Sequence, residues 1–166
     1  VRIELPGNLG KAARAMKMLG KSKQVTALED SMNRAAEAAV PQAQELLLDA
    51  VKKMTINDAK GILNGPNNSA TAYLDRSSRE QLRSRFLPMI QQVTQSSGLA
   101  QQYNNFAGQA ASYGVIDTKD ASIENYVTEQ ALDGLFTIIA EQEASIRQNP
   151  AQAATDIAKK VLGVLR

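Results

Sequence analysis

From Leu28 onward, apolar residues recur every three or four positions: Met32, Ala35, Ala39, Ala43, Leu46, Ala50 and Met54. At about 100° of rotation per residue that spacing builds one face of a helix, and a strand cannot use it. The same period returns in Leu9, Ala12, Ala13, Met16 and Leu19, and again in Leu82, Phe86, Met89, Ile90 and Val93. Aromatic residues make up only 4% of the chain, so helix formers outnumber the residues that strands prefer. The pattern defines an all-α chain.

Punctuation divides it. Residues 1–8 read as an extended lead-in with a turn at Pro6-Gly7, followed by a short basic helix that Gly20 stops. Thr26 and Glu29 form a T-x-x-E capping box that starts the next helix. Pro41 either kinks that helix or restarts it in a first turn. Thr55 to Asp58 caps a short helix ending at Asn64-Gly65-Pro66, and Ser69 caps another carrying Tyr73 and Leu74. Ser77 with Glu80 starts a further helix, which Pro88 should kink, and a Gln/Asn-rich helix with Tyr103, Phe106 and Ala110 follows. The longest helix spans about 122–147, and Pro150 opens the last one. The expectation is a single domain over residues 1–166, a compact bundle of about seven or eight helices with the 122–147 helix at its centre.

The residue types that are missing narrow the chemistry. With no His and no Cys, zinc, copper, haem and iron–sulfur centres lose their usual ligands, and Ser-His-Asp and Cys-His pairs cannot form. Asp117, Asp120 and Glu124 cluster, but the calcium-loop order is absent and capping by Asp120 or Ser122 explains them better. There is no Walker A loop, no G-x-G-x-x-G and no G-x-S-x-G. No metal and no cofactor is expected, and no catalytic residue is assigned. No run approaches the 18 apolar residues of a membrane span.

Carboxylates, Arg and Tyr carry what polar chemistry is left. On a helical wheel, Leu132, Leu135, Phe136, Ile138 and Ile139 spread round much of the helix, as in a buried central one, and Asp133 is the lone charge among them. Two readings follow. Asp133 is either a buried carboxylate with a raised pKa or an Arg partner at a ligand, or else part of a polar seam, Glu129-Asp133-Thr137, facing solvent. The seam is favoured, because buried carboxylates usually serve structure. Gly134 beside it would admit a close neighbour. Arg34 and Glu37 form either a ligand clamp or, in the favoured reading, a solvated i,i+3 pair, with Asn33 flanking the apolar face. Asn33, Arg34, Glu37, Tyr103, Tyr126 and Asp133 are therefore the binding candidates.

Charge is patterned too. Residues 1–24 carry six basic residues against one acidic, the stripe being Lys11, Arg14, Lys17, Lys21 and Lys23. Arg76, Arg79, Arg83 and Arg85 make a second stripe. Either could meet an anionic membrane surface or an acidic partner, although solvated faces are the commoner outcome. Aromatic residues do not interleave with the basic ones, so there is no specific nucleic-acid signal.

Several segments together resemble one family. Ile3-Glu4-Leu5-Pro6, Ser31 to Pro41, Asp58 to Gly65, Tyr126-Val127-Thr128, Ala131 to Phe136, Ala140-Glu141 and Ile146 to Ala151 occur in order at compatible spacing. The chain is similar to the bacterial domain-of-unknown-function family 4197 over essentially its whole length. The resemblance implies a helical, exported, periplasmic protein whose signal sequence and an upstream helical segment have been removed, which fits the start at Val1. It implies no activity. The leading expectation is a non-catalytic binding module for a protein partner or a small apolar ligand. A carboxylate-dependent hydrolase or transferase using Asp133 is one alternative, and a peripheral membrane protein using the Lys11–Lys23 helix is another.

Overall fold

The computed structural model describes residues 2–5, 18, 22–95, 101, 103 and 122–151, and it is all-helical apart from extended and turn segments. Helix α1 (Ser22–Ala39) runs through a 3₁₀ turn (Val40–Gln42) into α2 (Ala43–Lys52). Then come α3 (Ile56–Asn64), α4 (Ser69–Thr94) and α5 (Ile123–Gln148). The basic helix expected over residues 9–19 and most of the Gln/Asn-rich segment lie outside the described residues, as do Asp117 and Asp120.

Of the two expectations for Pro41, the structure is nearer the restart: the α-helix ends at Ala39, Pro41 sits in the first turn of a 3₁₀ element, and a new α-helix begins at Ala43. Ala39 and Ala43 keep right-handed helical dihedrals on either side, with one tight turn between them. The apolar face therefore continues: Met32, Ala35, Ala36, Ala39, Ala43, Leu46 and Ala50 are all buried. Thr26 does not start this helix. It lies exposed inside it, four residues after Ser22, while Glu29 is buried on the same helix.

The two helices expected on either side of Ser77 are one helix, α4, of 26 residues. Ser77 does not cap; its hydroxyl donates back to the Tyr73 carbonyl at 2.7 Å, and Ser78 does the same to Leu74 at 2.6 Å. Pro88 lies inside α4 on an exposed position, where a missing N–H costs least. Ser78, Leu82, Phe86, Ile90 and Thr94 recur every fourth residue and are all buried.

Among the described residues the helix at the centre is α4 rather than the expected one near 122–147: α4 packs against the α1–α2 rod, α3 and α5 alike. It runs antiparallel to α5, since Ala70 meets Glu143, Arg79 meets Asp133 and Thr94 meets Glu124. It runs antiparallel to α2 as well: Tyr73 donates to the Ala50 carbonyl and Arg85 approaches Glu45. Met32, Leu82, Phe86, Ile90, Ile123, Val127 and Leu132 meet with no exposed surface. Burying each such side chain contributes roughly 1.5–3 kcal/mol. Tyr103, a binding candidate, is buried with this core.

α3 begins as its residues predict. Thr55 accepts from the Asp58 N–H, and the Asp58 carboxylate accepts from the Thr55 N–H and hydroxyl. Those two hydrogen bonds, with Arg76 nearby, lower the Asp58 pKa. The helix ends at Gly65, where an added Cβ would lie 2.7 Å from the Gly61 carbonyl oxygen and collide with the Ser69 hydroxyl. The carbonyl cannot step aside without unwinding the helix end. Gly65→Ala is therefore expected to cost about 1–3 kcal/mol, read as a lower urea midpoint at unchanged slope.

Candidate functional site

Residues Arg2–Leu5 adopt no regular secondary structure and cross from α1 to α5. Asn33, on the flank of the apolar face of α1, holds them by reading the backbone of Ile3. The Ile3 N–H donates to Asn33 Oδ1 at 2.9 Å, and Asn33 Nδ2 donates to the Ile3 carbonyl at 3.0 Å. Asn33 Nδ2 also donates to the Glu29 carbonyl of its own helix at 2.7 Å, which fixes the amide's orientation. From α5, the Tyr126 hydroxyl donates to the Glu4 carbonyl at 2.7 Å. Arg2 reaches Asp30 at 3.3 Å and Glu29 at 3.8 Å.

Ile3 itself is 4% exposed and forms part of the lining of a groove between α1 and α5, of about 240 Å³. The groove is also lined by Ala36 and Val40 of the first rod and Ala131, Leu135 and Ile138 of α5. Gly134 gives it bare backbone for a wall, and Asn33, Glu37 and Gln130 supply its polar atoms. Two binding candidates, Asn33 and Tyr126, thus hold the 2–5 segment from two helices, and Glu37 lines the groove beside it. Arg34 and Glu37 are both exposed, and among the described residues they form no ion pair with each other.

Asp133 lies elsewhere, and it is not buried. Its side chain is 57% exposed and pairs with Arg79 at 2.7 Å. The wheel reading that put it in a fully buried helix fails because Ile138 is 47% exposed and Leu135 and Ile139 are only partly covered. Arg79 also takes Asp75 at 2.6 Å and Glu129 at 3.2 Å, and lies 5.5 Å from the centroid of the Phe136 ring. Burial opposes the charge of Arg79, but hydrogen bonds to Asp75 and Asp133 outweigh it and raise its pKa. Three carboxylates converge here on a guanidinium, so the cluster is an interhelical tie. Arg83 joins it through Glu129 at 2.7 Å. Two members of the expected second basic stripe are thereby neutralised, whereas Arg76 is exposed at the cleft between α3 and α4. Lys11, Arg14, Lys17 and Lys21 fall outside the described residues.

These contacts rank the substitutions. Asp133→Asn is expected to cost under about 1 kcal/mol, as exposed ion pairs do. Arg79→Ala should cost more, about 2 kcal/mol, because it strips the face of Phe136 and leaves three carboxylates confronting one another. Chemical denaturation of the two variants side by side checks the order.

A second polar tie was invisible in the sequence. The Glu143 carboxylate accepts from the N–H groups of Ala70 and Thr71 at 2.9 and 2.8 Å, and from the Thr71 hydroxyl at 2.8 Å. Arg147 donates to it at 2.8 Å and to the Ile62 carbonyl, also at 2.8 Å. One carboxylate on α5 thus caps the start of α4, and its neighbour holds the end of α3. Burial pushes the Glu143 carboxyl up, but these hydrogen bonds outweigh it and hold the pKa at about 2. The only sequence trace is an E-x-x-x-R spacing, which says nothing of the helix it reaches. Glu124, the described member of the acidic cluster Asp117, Asp120 and Glu124, is buried, accepting from Thr94 at 3.2 Å and Ser122 at 2.7 Å. Ser122 is the cap of α5, as its position suggests.

Among the described residues, no helix is long and apolar enough to cross a membrane, and no three acidic residues are placed to hold a metal ion. The geometry defines an all-helical protein with a groove that the 2–5 segment helps to line. The protein belongs to the family described as protein of unknown function (DUF4197), which matches residues 1–163. No curated protein and no solved structure matches it.

Proposed function

We propose that the chain is a non-catalytic interaction module whose α1–α5 groove receives an aliphatic side chain from an extended segment of a partner protein. The observation that carries this is the treatment of Ile3. A side-chain amide reads both its backbone groups while its buried side chain forms part of the wall of an apolar groove between α1 and α5. Backbone hydrogen bonds for affinity and a pocket for the side chain are the two elements of extended-peptide recognition. The acidic pair Glu29 and Asp30 beside Arg2, and Glu37 at the groove, favour a segment in which a basic residue precedes the aliphatic one. Asn33, Glu37 and Tyr126 are its binding residues in this reading. A small apolar ligand in the same groove is the second reading, supported by the aliphatic lining. The single-domain organisation over residues 1–166 and the exported, periplasmic location implied by the family resemblance belong to the same proposal.

The test uses the full chain with Ile3→Asp, which should expel the resident segment, and a fluorescent peptide spanning Val1–Asn8 as the probe. Anisotropy should show the peptide binding this variant at least tenfold more tightly than the wild-type chain, where the resident segment occupies Asn33 and Tyr126. The peptide carrying Ile3→Asp should not bind. Equal or absent binding to the two chains, with the variant's helical circular dichroism intact, would refute the reading.

A further inference from the structure

We propose that α3, together with the end of α2, is a contact surface for an anionic lipid bilayer, separate from the groove. α3 buries none of its residues, and it presents Ile56 and Leu63, two turns apart on one face, at 77% and 76% exposure. On the preceding helix, Leu48 and Val51 are half exposed. Single exposed aliphatics are ordinary on a protein surface, but here a short helix turns Ile62 toward the α4 cleft and keeps Ile56 and Leu63, two of its three large apolar side chains, outward. Lys52, Lys53 and Lys60 are exposed in the same stretch. Its two acidic residues are both engaged locally: Asp49 lies 3.7 Å from Lys52, and Asp58 is turned into the Thr55 capping box.

Composition decides between lipid and protein as the occupant. Protein interfaces concentrate Trp, Tyr and Arg and are depleted of Lys, whereas this patch is aliphatic and lysine-flanked with no aromatic member. Four side chains also fall far short of the ~800 Å² per partner that a stable protein contact covers. A bilayer needs less. Two inserted aliphatics and several lysines at the headgroup level suffice for weak, salt-sensitive association. Lysine stems can lie along the apolar surface while their ammonium groups stay among the phosphates.

The chain has no Trp, so Ile56→Trp gives a single reporter on this face. With vesicles of phosphatidylcholine containing 30% phosphatidylglycerol, its emission should shift to the blue, and 0.5 M salt should largely reverse the shift. Pure phosphatidylcholine vesicles should produce a much smaller change. No shift with the anionic vesicles would overturn the proposal. So would a blue shift that grows with protein concentration without lipid, since a second copy would then cover the face. Flotation of the chain carrying Ile56→Asp and Leu63→Asp should fall at least tenfold below wild type, at equal melting temperature. Flotation unchanged by that pair would place any membrane contact elsewhere, such as the basic segment before residue 24.

Discussion

Replacing Glu143 with alanine should destabilise the protein by about 3 kcal/mol, a drop in melting temperature of roughly 6–12 °C for a chain of this size. The size follows from what the carboxylate holds. It satisfies two backbone N–H groups at the start of α4, a hydroxyl and the fork of Arg147, and its side chain is 10% exposed. Alanine leaves those donors partly buried with no acceptor, and it leaves Arg147 without its counter-charge. Glu143→Gln keeps the shape and one acceptor oxygen and should cost less, about 1–2 kcal/mol. The pH dependence has a fixed sign. The folded pKa, about 2, lies below the ordinary value of 4.5, so the charged carboxylate stabilises the fold fully above pH 4.5. That contribution fades as pH falls toward 2. The gap between wild type and Glu143→Gln should therefore close over that window, which urea titrations at stepped pH would show.

Phe86→Ala should be costlier still, about 4 kcal/mol, and is the strongest test that α4 is the centre of the bundle. Phe86 is the largest side chain with no exposed surface, midway along the stripe from Ser78 to Thr94. The α1–α2 rod and α5 both pack on α4, so no single helix can move in to refill the space. A matched truncation on the outer side of α5, Ile138→Ala, should cost under about 1 kcal/mol, because Ile138 is 47% exposed. Comparable losses for the two would contradict the arrangement.

What the sequence discloses is what local chemistry settles. The Thr55–Asp58 box, the Ser122 cap and the long helix expected near 122–147 depend on neighbours three or four residues away, and each is found. The continuity of α4 was hidden for the same reason. Ser77-x-x-Glu80 and Pro88 are local stop and start signals, and the buried stripe is interrupted in composition by Ser78 and Thr94, which look polar until their hydroxyls are seen bonded to their own helix. Asp133 is exposed, as the favoured seam reading has it; the wheel erred on its neighbours, because the periodic pattern cannot tell a buried aliphatic from one lining a groove, as Ile138 does. Asn33 stood out on the flank of α1, yet its partner lies thirty residues away in the lead-in, and only the fold joins them. Glu143 is the extreme case: its donors lie more than seventy residues distant.

The groove reading meets its most direct test in a methyl-resolved NMR titration of the Ile3→Asp chain with the peptide spanning Val1–Asn8. Perturbed methyl groups should cluster on Val40, Ala131, Leu135 and Ile138, which line the groove with Ile3. The signals of Ile56 and Leu63 should stay still. Shifts scattered over the surface, shifts confined to α3, or no shifts at saturating peptide would contradict it.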